Sequence, residues 1–492
     1  MKAKWTLALL FLLEAWTLSG FAQNAEKLSL KEAIHLAQQR SLDALAARQD
    51  YLAECWGYKA SKAEVLPQIG LEATPVSFNR TIVQRYDVIE KADVFVPQQN
   101  LFSSATLRIS KVIGSTGGRV FFSSDWSRLQ NFAPTSFVNY SIAPARLGID
   151  QPLGQFNPFK WEKKLAPLRQ EIAEKVYSFT MEEVALKTTR LFFDFLKVQE
   201  DLESLKVEIA WTDSLIGLQK QRHYSKSYRK EDQINLHLQK LDYQQRMEEM
   251  KVDLIKKREA FYTYLRLDVA GPGLSMPSSP PAELRISWEE LLLQARRNHP
   301  LMLIMRKRSW EGEMQVEKAR KDNRFQASVQ ASLGLNQSDT SLRASFSRLL
   351  DQEMIFVSLE IPLWDWGRRK GIEKVALARQ EAERARDRRE ETEFYLKLKA
   401  VFEEFSSCQK RLDQNAKAIE LSTQELSLLK KRFRLGQSDI YRVNMAENKL
   451  RRYKENRWSL VANYWTLYRE LRASTLFDFE LGRGLAYPLP VP

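Results

Sequence analysis

Two cysteines, four histidines, 18 glycines and 17 prolines are few for a chain of 492 residues, and each scarcity excludes something. His35, His223, His237 and His299 are scattered, and Cys55 and Cys408 stand alone in helical surroundings. They form no ligand set, so no metal or other cofactor is expected. The two cysteines read as small apolar core residues in preference to a disulfide. No grouping of nucleophile, base and oxyanion donor stands out, and no enzymatic activity is expected. Proline is missing between Pro167 and Pro272 and again between Pro362 and Pro488. Spans that long without a helix breaker exceed ordinary globular helices and point to elongated coiled ones.

The formal charge of +14 invites a nucleic-acid partner, but 76 basic and 62 acidic residues are intermixed through the helical spans, as in REETEFYLKLKAVFEEF. Interspersed signs mark solvated helix surfaces, so no nucleic acid is expected. The run LALLFLL follows Lys2 and Lys4 and precedes the small residues Gly20 and Ala22. Residues 1–22 therefore read as a signal peptide, and the chain as exported. Glu14 argues against a retained membrane helix, and no cysteine follows the cleavage point to carry a lipid.

What is present is a sequence that repeats itself. SLKEAIHLAQQRS from Ser29 aligns with SWEELLLQARRNH from Ser287, and LPQIGL from Leu66 with RFQASV from Arg324, both at an offset of 258. QPLGQFNPFK from Gln151 then pairs with IPLWDWGRRK from Ile361, and LRQEIAEK from Leu168 with ARQEAERA from Ala378, at an offset of 210. The fall in offset places about 48 extra residues in the first half, between Leu71 and Gln151. Each half reads helix, strand, loop, strand, long helix, turn, helix. The expected organisation is a first repeat over 23–269, a Gly/Pro/Ser linker over 270–284, a second repeat over 285–475 and a tail over 476–492.

The long helices are expected from about Phe159 to His223 and from Gly367 to Arg434. At 1.5 Å per residue each is about 100 Å long. Phe405, Cys408, Leu412, Ile419, Leu426, Leu429 and Phe433 form one three-four seam, and Val198, Leu202, Leu205, Ile209 and Ile216 another. Thr212, Asn415 and Ser422 fall on polar gaps in these seams. The strands alternate cleanly. Ile355, Val357, Leu359, Ile361 and Leu363 share a face opposite Ser358 and Glu360, and Ile69, Leu71 and Ala73 alternate with Gln68, Gly70, Glu72 and Thr74. Such alternation fits a membrane barrel with lipid on one side and water on the other, and equally one sheet of a soluble sandwich. The exported start and the enormous helices favour the barrel. Two core strands per half, four per chain, cannot close in lipid, where an open edge is not tolerated, so several chains are required.

The opening LSLKEAIHLAQQRSLDALAARQDYLAECWGYKASKAEVLPQIGL, the junction IPLWDWGRRK and the tip KRFRLGQSDIYRVNMAENKL from Lys431 together resemble the TolC family of outer-membrane efflux proteins. The resemblance covers most of the mature chain. It implies an α+β membrane protein: a homotrimer with a twelve-stranded outer-membrane β-barrel, four strands per chain, continuous with a long periplasmic α-helical barrel. It implies a passive exit duct in outer-membrane lipid, served by a periplasmic membrane-fusion adaptor and, through it, an inner-membrane pump or ABC exporter. Efflux and type I secretion use the same architecture.

The resemblance also assigns residues. Phe433, Arg434, Leu435, Gly436, Gln437 and Ser438 match the tip motif that an adaptor hairpin engages; the alternative is an ordinary helix cap, with Gly436 supplying a permissive backbone. In the first half Lys226 stands where that glycine would be. Acidic rings often narrow the periplasmic end in the family, whereas this chain offers Asp232 and Arg442, either a mixed-charge gate or solvated tip charges. Pro152, Pro362 and Gly367 mark the strand-to-helix junctions, where Pro ends a ladder and Gly permits a bend. The segment 80–140 is either an extension of the barrel strands with a large external loop or a plug-like insertion, and STGG within it reads as a hairpin turn. Two other classes remain open at this point: a periplasmic coiled-coil adaptor or scaffold that forms no channel, and a basic coiled-coil protein that binds nucleic acid.

Overall fold

The computed structural model describes residues 27–87, 91–221, 230–268, 273–275, 284–435 and 437–491. The signal segment, most of the linker, the first-half turn around Lys226, and Gly436 lie outside them. The chain divides into two compact units. One comprises residues up to Gln49, Lys175–His299 and Glu393–Leu489; the other comprises Asp50–Glu174, Pro300–Thr392 and the last residues.

Short helices open each half. Helix α1 (Leu30–Arg40) starts at Ser29, whose hydroxyl accepts from Glu32 N while the Glu32 carboxylate accepts from Ser29 N, a complete capping box. It is followed by α2 (Leu42–Glu64). Four strands come next, β1 (Gln68–Asp87), β2 (Ala92–Ile113), β3 (Gly118–Ala133) and β4 (Phe137–Leu153). They lead into α3 (Pro158–Gln221) and α4 (Lys230–Leu265). The second half runs α5 (Trp288–Asn298), α6 (Pro300–Asp322), β5 (Gln326–Asp339), a one-turn α7 (Leu342–Ser345), β6 (Leu350–Glu360), α8 (Arg368–Arg434) and α9 (Ile440–Thr475). Helices α3 and α8 contain 64 and 67 residues, within a few residues of the spans expected from the sequence. Pro158 opens α3, where a missing N–H costs nothing, and the helix continues past Pro167.

In the first unit the seams are buried as spaced. Leu291 and Ala295 of α5 pack on Leu398, Phe405 and Cys408 of α8 and on Leu460, Tyr464, Tyr468 and Leu471 of α9. A second cluster joins Leu215 and Ile216 of α3, Leu236 of α4, Leu426 and Phe433 of α8, and Ile440, Val443, Ala446 and Leu450 of α9. The polar gaps Thr212, Asn415 and Ser422 are buried within these seams. Thr212 donates its hydroxyl to the Glu208 carbonyl one turn back, which satisfies it without a partner helix. Cys55 and Cys408 are free and buried, as read from the sequence.

The second unit holds one all-antiparallel sheet of six strands in the order β1-β2-β3-β4-β5-β6. This corrects the expectation of four strands per chain. The extra first-half segment is not a plug: within 80–140 lie the end of β1, all of β2 and β3 and the start of β4, so it extends the strands and adds two to the sheet, with the STGG turn joining β2 to β3 at the end where α3 begins. A chain that supplies six strands also cannot build a twelve-stranded barrel from three copies.

The last residues are not an irregular tail throughout. Phe477–Asp478 (β7) and Arg483–Gly484 (β8) form a small antiparallel ribbon just beyond α9. Among the described residues, no helix is long and apolar enough to cross a membrane.

Candidate functional site

Between the bulges the strands keep one pairing register, so alternation along each strand becomes two faces of one sheet. Ile69, Ile109, Phe122, Leu147 and Leu333 lie opposite one another in a single row from β1 to β5. The neighbouring row, on the other face, is Gly70, Arg108, Ser123, Arg146, Gly334 and Gln352. On the apolar face Ile69, Leu71, Leu147, Leu333, Ile355, Val357 and Leu359 are each more than half exposed. Soluble monomers rarely leave so many adjacent aliphatic groups in water. Charge enters this face mainly at its margins, at Asp351 and Glu353 where β6 begins and at Lys111 near the β2–β3 turn.

The polar face carries a closed ionic cluster. The Arg146 guanidinium reaches the Asp125 carboxylate at 2.7 Å and donates to the Ser123 hydroxyl at 3.2 Å. Thr106 of β2 donates to the other Asp125 oxygen at 2.9 Å. The cluster ties β2, β3 and β4 together on the side opposite the aliphatic face. Arg108 lies over the Phe121 ring at 5.4 Å.

Both strand-to-helix junctions are built by capping side chains. At the first, Asn157 accepts from Phe159 N and Lys160 N, and its amide donates to the carbonyls of Gly114 and Ser115 in the β2–β3 turn. At the second, Asp365 accepts from Gly367 N, Arg369 N and Arg369 Nε, the last at 2.7 Å. Hydrogen bonding from Arg369 holds its carboxyl below the usual range. Arg369 also donates to the Pro362 carbonyl at 3.0 Å, closing the bend. Pro362 lies just past β6, and Gly367 has φ +85°, the left-handed conformation that glycine tolerates. Pro152 differs: it remains within β4, opposite Ser328. The Trp364 and Trp366 rings meet edge to face, 5.6 Å apart, and both are largely exposed. Asp365 was not singled out from the sequence, although an Asp just ahead of a helix is the ordinary cap signal.

At the helical tip, α8 ends at Arg434 and α9 begins at Ile440, with Asp439 accepting from Arg442 N at 2.9 Å. Phe433 points inward against Ile440 and Val443, whereas Leu435 is 72% exposed. Gln437 is exposed and Ser438 half-buried. Gly436 and the Arg434 side chain lie outside the described residues. Arg442 is exposed in the first turn of α9; Asp232 stands in the first turn of α4, its side chain likewise undescribed. Behind the tip, Lys430 sits 3.7 Å over the Trp211 ring and 3.3 Å from Glu447, while Arg451 pairs with Glu208. Burial pushes both carboxyls, Glu208 and Glu447, above their ordinary range despite these cations.

No family model matches the chain, and no curated protein sequence matches it either. Solved structures do. The outer membrane protein VceC from the bacterial pathogen Vibrio cholerae is 14% identical, with 92% of this chain and 96% of that one covered at a TM-score of 0.64. The Campylobacter jejuni CmeC outer membrane channel is 11% identical over 94% of this chain and 87% of its own, at 0.65. The open state of the Neisseria gonorrhoeae MtrE outer membrane channel is 13% identical over 94% and 91%, at 0.61. The chain has the fold of the TolC-family outer-membrane channels. At these identities the likeness is one of fold, and the exposed aliphatic face, polar opposite face and capped junctions are what this TolC-like chain brings to it.

Proposed function

We propose that this protein is the outer-membrane exit duct of a tripartite efflux or type I secretion system. The observation that carries the reading is the six-stranded sheet, which turns a largely apolar face outward and an Arg, Asp and Ser face the other way. Lipid satisfies the first face and water the second. The exposed Trp364 and Trp366, followed by Arg368 and Lys370, suit a membrane interface at the strand-to-helix bend. The two free sheet edges require neighbouring chains, and we take the assembly to be a homotrimer whose helices lie in the periplasm. Residues 23–269 and 285–475 act as two structural repeats.

In this reading the duct is passive. A periplasmic adaptor engages the tip at Phe433–Ser438, and an inner-membrane pump or ABC exporter acting through that adaptor supplies energy and cargo selection. Asp232 and Arg442 form a mixed-charge gate at the periplasmic end. Envelope fractionation with heat-modifiable gel mobility tests the duct. Recovery in the outer membrane as an oligomer that dissociates only on heating is expected, and recovery without detergent in the soluble periplasm would refute it. Conductance of Asp232→Ala and Arg442→Ala channels tests the gate: unchanged closed-state current in both would remove it.

A further inference from the structure

We propose that each chain contributes six strands to the wall of an intermolecular barrel, so that three copies close an eighteen-stranded channel through β6-to-β1 joints. The inference rests on the reading of this chain as a membrane duct and the partner it names is two further copies of the same chain.

The β2–β3 hairpin is built into the wall and is not laid against it. Its pairing runs unbroken from Asn100↔Asn131 to Ile113↔Gly118, and both its neighbours continue the same rows. Ile109 and Phe122 stand between Ile69 and Leu147 on the aliphatic face, and Arg108 and Ser123 between Gly70 and Arg146 on the polar face. A plug or loop would have no reason to keep phase with the wall on both faces. Three contacts also fix the hairpin to β4 and α3: the Asp125–Arg146 pair, the Asn157 amide on the turn carbonyls, and Phe121 resting on Gly148.

The free edges are then β1 and β6. The first leads away from α2 and the second leads back to α8, and an even number of strands lies between. The β6 of one copy therefore meets the β1 of the next antiparallel, and any whole number of copies closes without a parallel joint. Lipid enforces closure, since each unpaired edge group costs several kcal/mol there. Diameter grows roughly linearly with strand number, so eighteen strands give a bore about one and a half times that of twelve. The membrane barrel is then not the narrow point for cargo.

Disulfide trapping in native membranes, in a Cys55→Ala/Cys408→Ala background, tests the arrangement. Ile69→Cys/Ile109→Cys and Phe122→Cys/Leu147→Cys should each cross-link within one chain. Ile69→Cys/Leu147→Cys should not, because three strand spacings hold those positions about 14 Å apart. Between chains, Ile69→Cys or Leu71→Cys combined with Ile355→Cys, Val357→Cys or Leu359→Cys should give a covalent ladder ending at three chains. An Ile69–Leu147 cross-link in a membrane oligomer would mean that β1 joins β4 and would overturn the six-strand wall alone. A ladder ending at two chains would overturn the eighteen-strand count. Recovery as a soluble monomer would overturn the duct reading itself.

Discussion

Phe121 fills the space that any side chain at position 148 would need: a Cβ on Gly148 would stand 2.5 Å from Phe121 Cζ and 3.0 Å from the Ala331 carbonyl oxygen. The glycine lets β3, β4 and β5 approach at full pairing distance while an aromatic ring crosses above it.

Gly148→Val should therefore strain the sheet by about 1–3 kcal/mol, the usual range for overpacking. Lower heat stability of the assembled oligomer on gels would show it. Phe121→Ala in the same chain should restore part of the loss, because only the Ala331 backbone then opposes the new methyls. Equal stability of Gly148→Val and the parent would mean β3 and β4 do not pair in this register.

The helices of this fold were legible because their signal is local: charge-dense runs and three-four seams mark both long spans, although α3 also runs through Pro167. The strand count was not. Bulges at Thr74/Ser77, Ser123/Asp125 and Ile142/Ala145 shift the phase of alternation in mid-strand, so an inserted pair of wall strands reads like loop. The tip was half legible. Its turn followed from composition, but Phe433 belongs to both the seam and the motif, and only packing shows that it faces inward while Leu435 faces out. Least legible were partners far apart in sequence, such as Tyr487 and Glu182, which no local pattern connects.

Glu182 is fully buried and receives Arg472 at 2.9 Å and the Tyr487 hydroxyl at 2.5 Å, with Arg469 at 3.9 Å. Arg472 also holds Asp478 at 2.6 Å, which fixes the β7–β8 ribbon to α9. Removing the carboxylate with Glu182→Ala leaves buried guanidinium groups short of a partner, at a cost of roughly 3–5 kcal/mol. The last residues, anchored by Tyr487, should become cleavable by protease at the same time. Melting temperature and limited proteolysis read the two effects, and a neutral Glu182→Ala would show the network to be dispensable.

His299 lies 4.5 Å from the Phe394 ring and 5.2 Å from that of Phe179, and burial pulls its pKa down to about 4. As pH falls below about 6.5, the unfolded chain binds a proton that the folded chain refuses until about 4. Stability is fully present above that window and is lost through it. His299→Phe removes this contribution, so its stability should fall less than the parent's between pH 6.5 and 4. The comparison must be between the two proteins, because the buried Glu208 and Glu447 carboxyls work in the opposite direction. Parallel pH profiles would place the ring in water.

The tip residues should separate by function according to which way they face. Phe433 is buried among Leu426, Ile440 and Val443, so Phe433→Ala should cost about 3–5 kcal/mol and lower the melting temperature whatever binds outside. Leu435 projects into solvent, and Leu435→Asp should change stability by no more than about 0.5 kcal/mol. If the tip receives an adaptor hairpin, Leu435→Asp should nevertheless abolish adaptor cross-linking and export while the channel still assembles and conducts. Gln437, also exposed, provides the site for a photo-cross-linker that reports the contact directly. Normal export by Leu435→Asp, or loss of its heat stability, would show that the turn is only the end of a helix.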